Sequence, residues 1–524
     1  MKRNLQLARS MAFFVFAALF LAFFFAFTSV LISRDALAQT ARGEPVVPSS
    51  RKSVRLARNT AGKEKRPNVV FIMADNLGYG DLGCYGGGET RGMPTKNIDK
   101  LASESLRFTQ FLVEPQCTPT RAAVMTGRYP VRMGLSLVLI EGVPGASGLT
   151  SYEFTTAEMF KEIGYDTAIF GKWHLGAKGE SQPQRQGFDI WYGIPYSTDV
   201  TLDVEQQLKA GIIKKVSQAP YIPYIMEARR GEDAKNVKPY NLKTRRTIDL
   251  ELTDKSIEYI KSHAKSGKPF FLYLPFTRPH YPNLTSKEFE RASRIGIYGD
   301  SVMELDHNTG RVLKAIREAG IEDNTIVIWI SDNGPMNTTT WPDSGFAGPY
   351  RGELGDPHEG SIRTAGMIKW PGKIKPGVSN EMFAAIDFLP TLAAMTGGRT
   401  PTDRPIDGVD QSPFLLGKQV KSNREHLLTF IAAQLVTIRW RQYRIYYRFF
   451  EPTGEWIKQM GLGAKNVSSG GYPHLYNIEK DPTEKDNILA TNGWITPYIM
   501  PYIQDYIESV KKYPNPQVKN YLSD

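Results

Sequence analysis

Four short apolar runs along the chain share one shape. Residues 68–74 end in Asp75-Asn76, and residues 165–170 end in Gly171-Lys172-Trp173-His174. Residues 269–276 lead into Thr277-Arg278-Pro279-His280, and residues 325–331 into Asp332-Asn333-Gly334. Each run is rich in β-branched and aromatic residues and alternates little, as a strand buried on both faces does. Helical patterns fill 156–163, 253–264 and 299–319 between them. Strand alternating with helix predicts an α/β fold, a large and mostly parallel sheet sandwiched by helices. In such sheets the ligand lies beyond the carboxyl ends of the strands. All four runs place metal-type or acid–base side chains at that end.

The pattern changes near Gly417. Residues 435–440 and 443–449 alternate, as half-exposed strands do. Leu475-Tyr476-Asn477-Ile478 precedes a turn at Lys480-Asp481-Pro482, and a last helix is expected over 498–511. These features predict a small antiparallel C-terminal subdomain with a helix over 418–524, after a catalytic domain over 67–417. The chain start reads differently again. Lys2, Arg3 and Arg9 precede a greasy run of 22 residues, 11–32, and a small-x-small exit at Ala36-Leu37-Ala38. This describes a secretory signal over 1–38. The run is also long enough to span a bilayer as an uncleaved anchor. Either way the body is expected outside the inner membrane, periplasmic or extracellular, touching a membrane only through this segment.

Charge sharpens the division. The chain of 524 residues carries a formal charge of +11. Residues 1–66 hold 12 Lys/Arg against 3 Asp/Glu, so the folded body is close to neutral. A nucleic-acid partner needs a basic face on the fold, and none is indicated. The basic linker over 39–66 is a solvated spacer, or is drawn to an acidic surface. Two cysteines, Cys84 and Cys117, exclude a disulfide-stapled scaffold and a thiolate zinc site. Cys84 reads as a buried free thiol.

Residues 116–128 are the most informative stretch. Thr118 can cap a helix and Pro119 suits its first turn. Cys117 is then expected at a helix N-terminus, where free N–H groups favour anions, with Arg121 one turn on. An isolated cysteine is more often a buried structural residue. The pattern Cys117-x-Pro119-x-Arg121, followed by Thr126-Gly127-Arg128, resembles the signature of the type I sulfatases of the alkaline phosphatase superfamily. The resemblance covers roughly residues 67–417 and continues beyond. Thr120 stands where many members have Ser, which keeps a hydroxyl.

The resemblance implies an alkaline-phosphatase-like fold and an arylsulfatase-type hydrolysis of sulfate esters, on small molecules or glycans. It implies that a formylglycine-generating enzyme oxidises Cys117 to Cα-formylglycine. The hydrated aldehyde then attacks sulfur, and the sulfated diol collapses to expel sulfate. Asp75, Asn76, Asp332 and Asn333 align with the family's metal ligands, and their oxygens suit Ca²⁺, with Mg²⁺ second. Asn76 replaces an Asp of the usual set, so weaker metal binding is expected. Lys172 aligns with a sulfate-binding lysine, His174 with a proton acceptor and His280 with the donor to the leaving oxygen. Ser197 aligns with a serine that contacts a catalytic His or the sulfate.

One departure stands out. Leu354 occupies a position where the family has a sulfate-gripping Lys, and His358 nearby is a candidate partial substitute. That departure keeps open a phosphonate monoester or phosphodiester hydrolase with the same machinery, or a non-catalytic sulfatase-like protein at the membrane. Tyr221, Tyr224 and Tyr240, in a segment expected to frame the pocket, are candidates to hold a ring.

Overall fold

The structure, a computed structural model, describes residues 65–140, 148–219, 221–337, 343–448 and 473–516. The expected leader, and the linker as far as residue 64, lie outside the described residues.

The four apolar runs form strands. They are β1 (Asn68–Ala74), β3 (Asp166–Lys172), β7 (Phe270–Pro275) and β8 (Thr325–Ser331). All but the first residue of β3 are buried, which explains their missing alternation. They lie side by side in parallel, in the order β8-β1-β7-β3. The helices Thr156–Glu162, Ile248–Ser266 and Ile297–Glu318 fall where the periodicity places them.

Less regular segments extend this centre. They are β2 (Leu106–Leu112), β4 (Ile190–Ile194), β5 (Tyr224–Arg229), β6 (Lys235–Pro239), β9 (Arg363–Lys369) and β10 (Gly377–Ala384). The ten strands run β10-β2-β9-β8-β1-β7-β3-β4-β5-β6. β9 is antiparallel to β8 and β2, and β5 and β6 add an antiparallel edge, so the sheet is mixed around a parallel core. A second sheet has the order β11 (His426–Ile431), β12 (Gln434–Trp440), β13 (Tyr443–Tyr446) and β14 (His474–Asn477), all antiparallel. Leu428, Ile438 and Ile499, the last from the helix Thr496–Lys512, share one core with Leu112 and Ala123 of the large layer.

Register decides where the chemistry falls. Ala74 pairs with Ser331, and Met73 with Pro275, so three strands end level. The next residues, Asp75 and Asp332, are therefore neighbours. β3 joins them because Gly171 has no side chain: at φ +146°, a Cβ there would lie 2.0 Å from the Pro275 carbonyl oxygen.

Candidate active site

Six buried residues meet at these strand ends. The Asn76 N–H donates to Asp332 Oδ1 at 3.0 Å. Arg121 grips Asp332 Oδ2 through Nε at 3.1 Å and Nη2 at 2.7 Å, and donates to the Lys172 carbonyl at 2.6 Å. Lys172 Nζ reaches Asp75 Oδ2 at 2.8 Å. Asn333 Nδ2 donates to Asn76 Oδ1 at 2.7 Å.

Cys117 is the first residue of the helix Cys117–Thr126, and its Sγ lies 3.5 Å from Asp75 Oδ1 and 3.3 Å from Asn76 Oδ1. The N-cap is Gln116, not the expected Thr118. Thr118 instead spends its hydroxyl on tertiary contacts, donating to the His174 carbonyl and accepting from Leu139 N–H. Thr120 likewise closes a loop by donating to the Glu114 carbonyl and accepting from its N–H. A serine hydroxyl could make the same pair of bonds.

The two histidines have defined tautomers when neutral. His174 Nε2 lies 3.0 Å from the Leu139 carbonyl, so that nitrogen carries the hydrogen and Nδ1 is bare. His280 Nδ1 lies 2.6 Å from the Tyr281 carbonyl, leaving Nε2 to accept from Ser197 Oγ at 3.2 Å. Asn76 and His174 adopt φ of 66° and 58°. Such backbone is sparsely populated away from glycine, and it clusters where side chains must be aimed.

Electrostatics set the resting charges. Burial opposes the Asp75 charge, yet Lys172, His280 and Arg121 hold this carboxyl well below the usual range. Asp332 is pushed up to about 6 by burial and by Asp75 beside it. Burial pulls Lys172 down, but Asp75, Cys117 and Asp332 together more than offset it and the ammonium stays charged. Burial, with Lys172 and Arg121, drives His174 well below its ordinary value, and burial also lowers His280. Burial pushes the Cys117 thiol far up, reinforced by Asp332 and Asp75.

A cavity of about 150 Å³ opens over this cluster. Cys117, Ser197 and His280 line it beside Leu139, Met336 and Leu354. Asp199 and Asp203 complete another part of its lining. These two carboxylates were missed in the sequence, although their spacing of four residues just after Ser197 was a usable signal. His358 is not brought to this cavity. Its ring packs on Tyr446 at 5.5 Å, and burial with Arg351 and Arg444 pushes it down to about 3, so it holds no cationic charge for an anion. The tyrosines also fall elsewhere. Tyr240 is buried in the core, Tyr221 packs on Tyr196, and neither they nor Tyr224 line the cavity. Cys84 is a free thiol, but half-buried rather than buried.

A cation fits the pole. Asp75, Asn76, Asp332 and Asn333 offer two carboxylates and two amide oxygens, and Asn333 Oδ1 is buried without a hydrogen-bond partner. A buried acceptor left bare needs a partner, and an all-oxygen set suits a hard divalent ion.

Known proteins place the chain in a family. The model of the family described as Sulfatase matches residues 67–398. The chain is 35% identical to arylsulfatase A of Homo sapiens over 459 residues, covering 83% of this chain and 85% of that protein. It is 31% identical to steryl-sulfatase of Homo sapiens, covering 80% of this chain and 84% of that protein. The crystal structure of the PsFucS1 sulfatase from Pseudoalteromonas sp. superposes with a TM-score of 0.77 at 32% identity, over 86% of this chain and 92% of that one. A strand-end site built on Cys117 and Arg121 and these relatives lead to one conclusion: the chain belongs to the sulfatase family and hydrolyses sulfate esters.

Proposed function

We propose that Cys117 is converted to Cα-formylglycine by a formylglycine-generating enzyme, and that position 117 so modified is the nucleophile. The observation that carries this reading is the state of the thiol. Cys117 sits at the centre of the site, yet burial and two carboxylates keep it protonated, and the thiol is a poor nucleophile. Once modified, it supplies a hydrated-aldehyde hydroxyl at the same point.

The chain's own side chains do the rest. Lys172 and Arg121, fixed in place by Asp75 and Asp332, supply N–H donors to the sulfuryl oxygens. The amide groups at the start of the helix Cys117–Thr126 add to these donors. His174 takes a proton at its bare Nδ1. His280 delivers one from Nε2 to the leaving oxygen, with Ser197 steadying that nitrogen. His280 rests neutral, and the negative charge of a bound ester favours its protonation. Asp75, Asn76, Asp332 and Asn333 would hold Ca²⁺, with Mg²⁺ second. When bound, the ion lowers the nucleophile's pKa and neutralises charge on the sulfuryl group. The basic start and apolar run of residues 1–38 support export, either cleaved or anchored.

One observation favours a second reading of the ester. Leu354, 7% exposed, lines the cavity where a lysine is expected from the resemblance. A phosphonate monoester or phosphodiester is the alternative substrate. Rates on an aryl sulfate, an aryl phosphodiester and an aryl phosphonate, each with and without added Ca²⁺, separate the two. The sulfate is expected to be fastest and to respond to Ca²⁺. Faster turnover of either phosphorus ester would move the assignment.

A further inference from the structure

The wall of the cavity carries charges that the chemistry at position 117 does not use. Asp199 opens the turn Asp199–Thr201, and Asp203, four residues on, opens the helix Asp203–Lys209. Both line the cavity that holds Cys117 and His280. Asp199 is half-buried, and its Oδ1 is a buried acceptor without a hydrogen-bond partner; Asp203 is exposed at the rim. No lysine or arginine is among the described residues that line the cavity. Nor does the sequence supply one over 133–160 or 334–350, the stretches that contain Leu139 and Met336. The nearby cations, Arg121 and Lys172, are fully buried and paired with Asp332 and Asp75. Among the described residues the cavity therefore has no unpaired cationic side chain, and Asp199 and Asp203 make a negative wall around the alcohol.

We propose that this cavity selects sulfate esters whose alcohol is neutral and hydroxylated, a monosulfated sugar, and rejects esters bearing a second anionic group, with Asp199 and Asp203 as the selecting residues. The proposal rests on the sulfatase reading and names its substrate class. The cavity volume of about 150 Å³ suits a single ring, since pockets for drug-sized ligands run to roughly 300–1,000 Å³. Leu139, Met336 and Leu354 offer an apolar surface, and the carboxylates offer acceptors. A pyranose matches both, with a C–H face for the first and hydroxyl donors for the second. An unsubstituted aryl group leaves Asp199 Oδ1 bare, as it is in the free protein. A second sulfate or a carboxylate on the ring meets like charge instead. Two like charges roughly 8 Å apart at an effective dielectric near 20 cost about 30-fold in affinity, and less at a solvated rim.

Binding to the full-length Cys117→Ala protein reads this selection without turnover. Isothermal titration with a methyl hexoside monosulfate and with its disulfated counterpart is expected to favour the monosulfate by roughly 10- to 30-fold. In the Asp199→Asn/Asp203→Asn variant the ratio is expected to collapse to within about threefold. The single Asp203→Asn change, at an exposed position, is expected to lower it part way, and melting curves confirm that each variant is folded. Equal or tighter binding of the disulfated sugar, or an unchanged ratio in the folded double variant, would overturn the proposal. Hydrolysis of an aryl sulfate by the unmutated enzyme is scored separately. Discrimination in binding with no hydrolysis of any ester would support the selection and sink the sulfatase mechanism.

Discussion

Two buried charge clusters in this protein look alike by composition and behave as opposites. One is the pole of Asp75, Asp332, Arg121 and Lys172, all 0% exposed. The other joins Glu359 to Arg363, Arg439 and Arg444 between the large layer and the second sheet. Both carboxylate oxygens of Glu359 accept from guanidinium groups: Arg439 and Arg444 share Oε1, and Arg363 reaches Oε2. Arg439 also donates to Gln110 Oε1 and Arg444 to the Pro357 carbonyl. Burial opposes the Glu359 charge, but the arginines win and hold it down at about 2. In the pole, two carboxylates crowd each other until Asp332 is pushed up to about 6, while Asn333 Oδ1 and His174 Nδ1 keep no partner. A cluster that saturates its carboxylate fastens the fold. A cluster that leaves acceptors bare beside a cavity retains capacity for a ligand and for proton transfer.

Mutations can break this contrast from either side. The largest effect is expected at position 117. Cys117→Ala should cut aryl sulfate hydrolysis by about 10³-fold or more, with a melting temperature close to that of the parent protein. Glu359→Gln should do the reverse. It strands three buried arginines and should cost on the order of 3–5 kcal/mol of stability, read by denaturant unfolding, while kcat of the folded fraction stays near normal. His280→Ala is expected to lower kcat by roughly 10²–10⁴-fold, most for poor leaving groups, in a comparison of activated and unactivated esters.

Smaller effects sharpen the contrast. Glu359 titrates near 4.5 when unfolded and near 2 when folded, so its stabilisation is present above pH 4.5 and fades as pH falls toward 2. The gap in stability between the parent and Glu359→Gln proteins should therefore narrow over that window. Adding Ca²⁺ at about a hundred times its dissociation constant should stabilise the folded state by about 2.7 kcal/mol. Asp332→Asn should blunt that shift and Glu359→Gln should keep it, as followed by thermal melting.

The first cluster was legible in the sequence and the second was not, for a physical reason. β1, β3, β7 and β8 are buried on both faces, so they announce themselves as unbroken apolar runs, and their level ends carry Asp75, Lys172 and Asp332 into one place. His280 follows β7 by five residues and still arrives, because the Asp75 N–H bonds the Arg278 carbonyl and ties that loop down. Arg439 and Arg444 sit in two alternating strands, but nothing in that alternation points to Glu359, and only tertiary packing pairs them. The same limit explains His358. Its place near Leu354 in the chain suggested a sulfate ligand, whereas the short helix Glu359–Ile362 turns it toward Tyr446. Asp199 and Asp203 were overlooked because acidic residues at a turn and a helix start are common, and only the cavity gives them a direction.

At the meeting point of these elements, the side chain at position 117 is proposed to work as an aldehyde and not as a thiol. Mass spectrometry of the peptide containing residue 117, from active protein made in cells that convert such motifs, tests it most directly. Formylglycine is expected at that position, in a fraction that tracks specific activity. Full activity with an unmodified Cys117 thiol would contradict it.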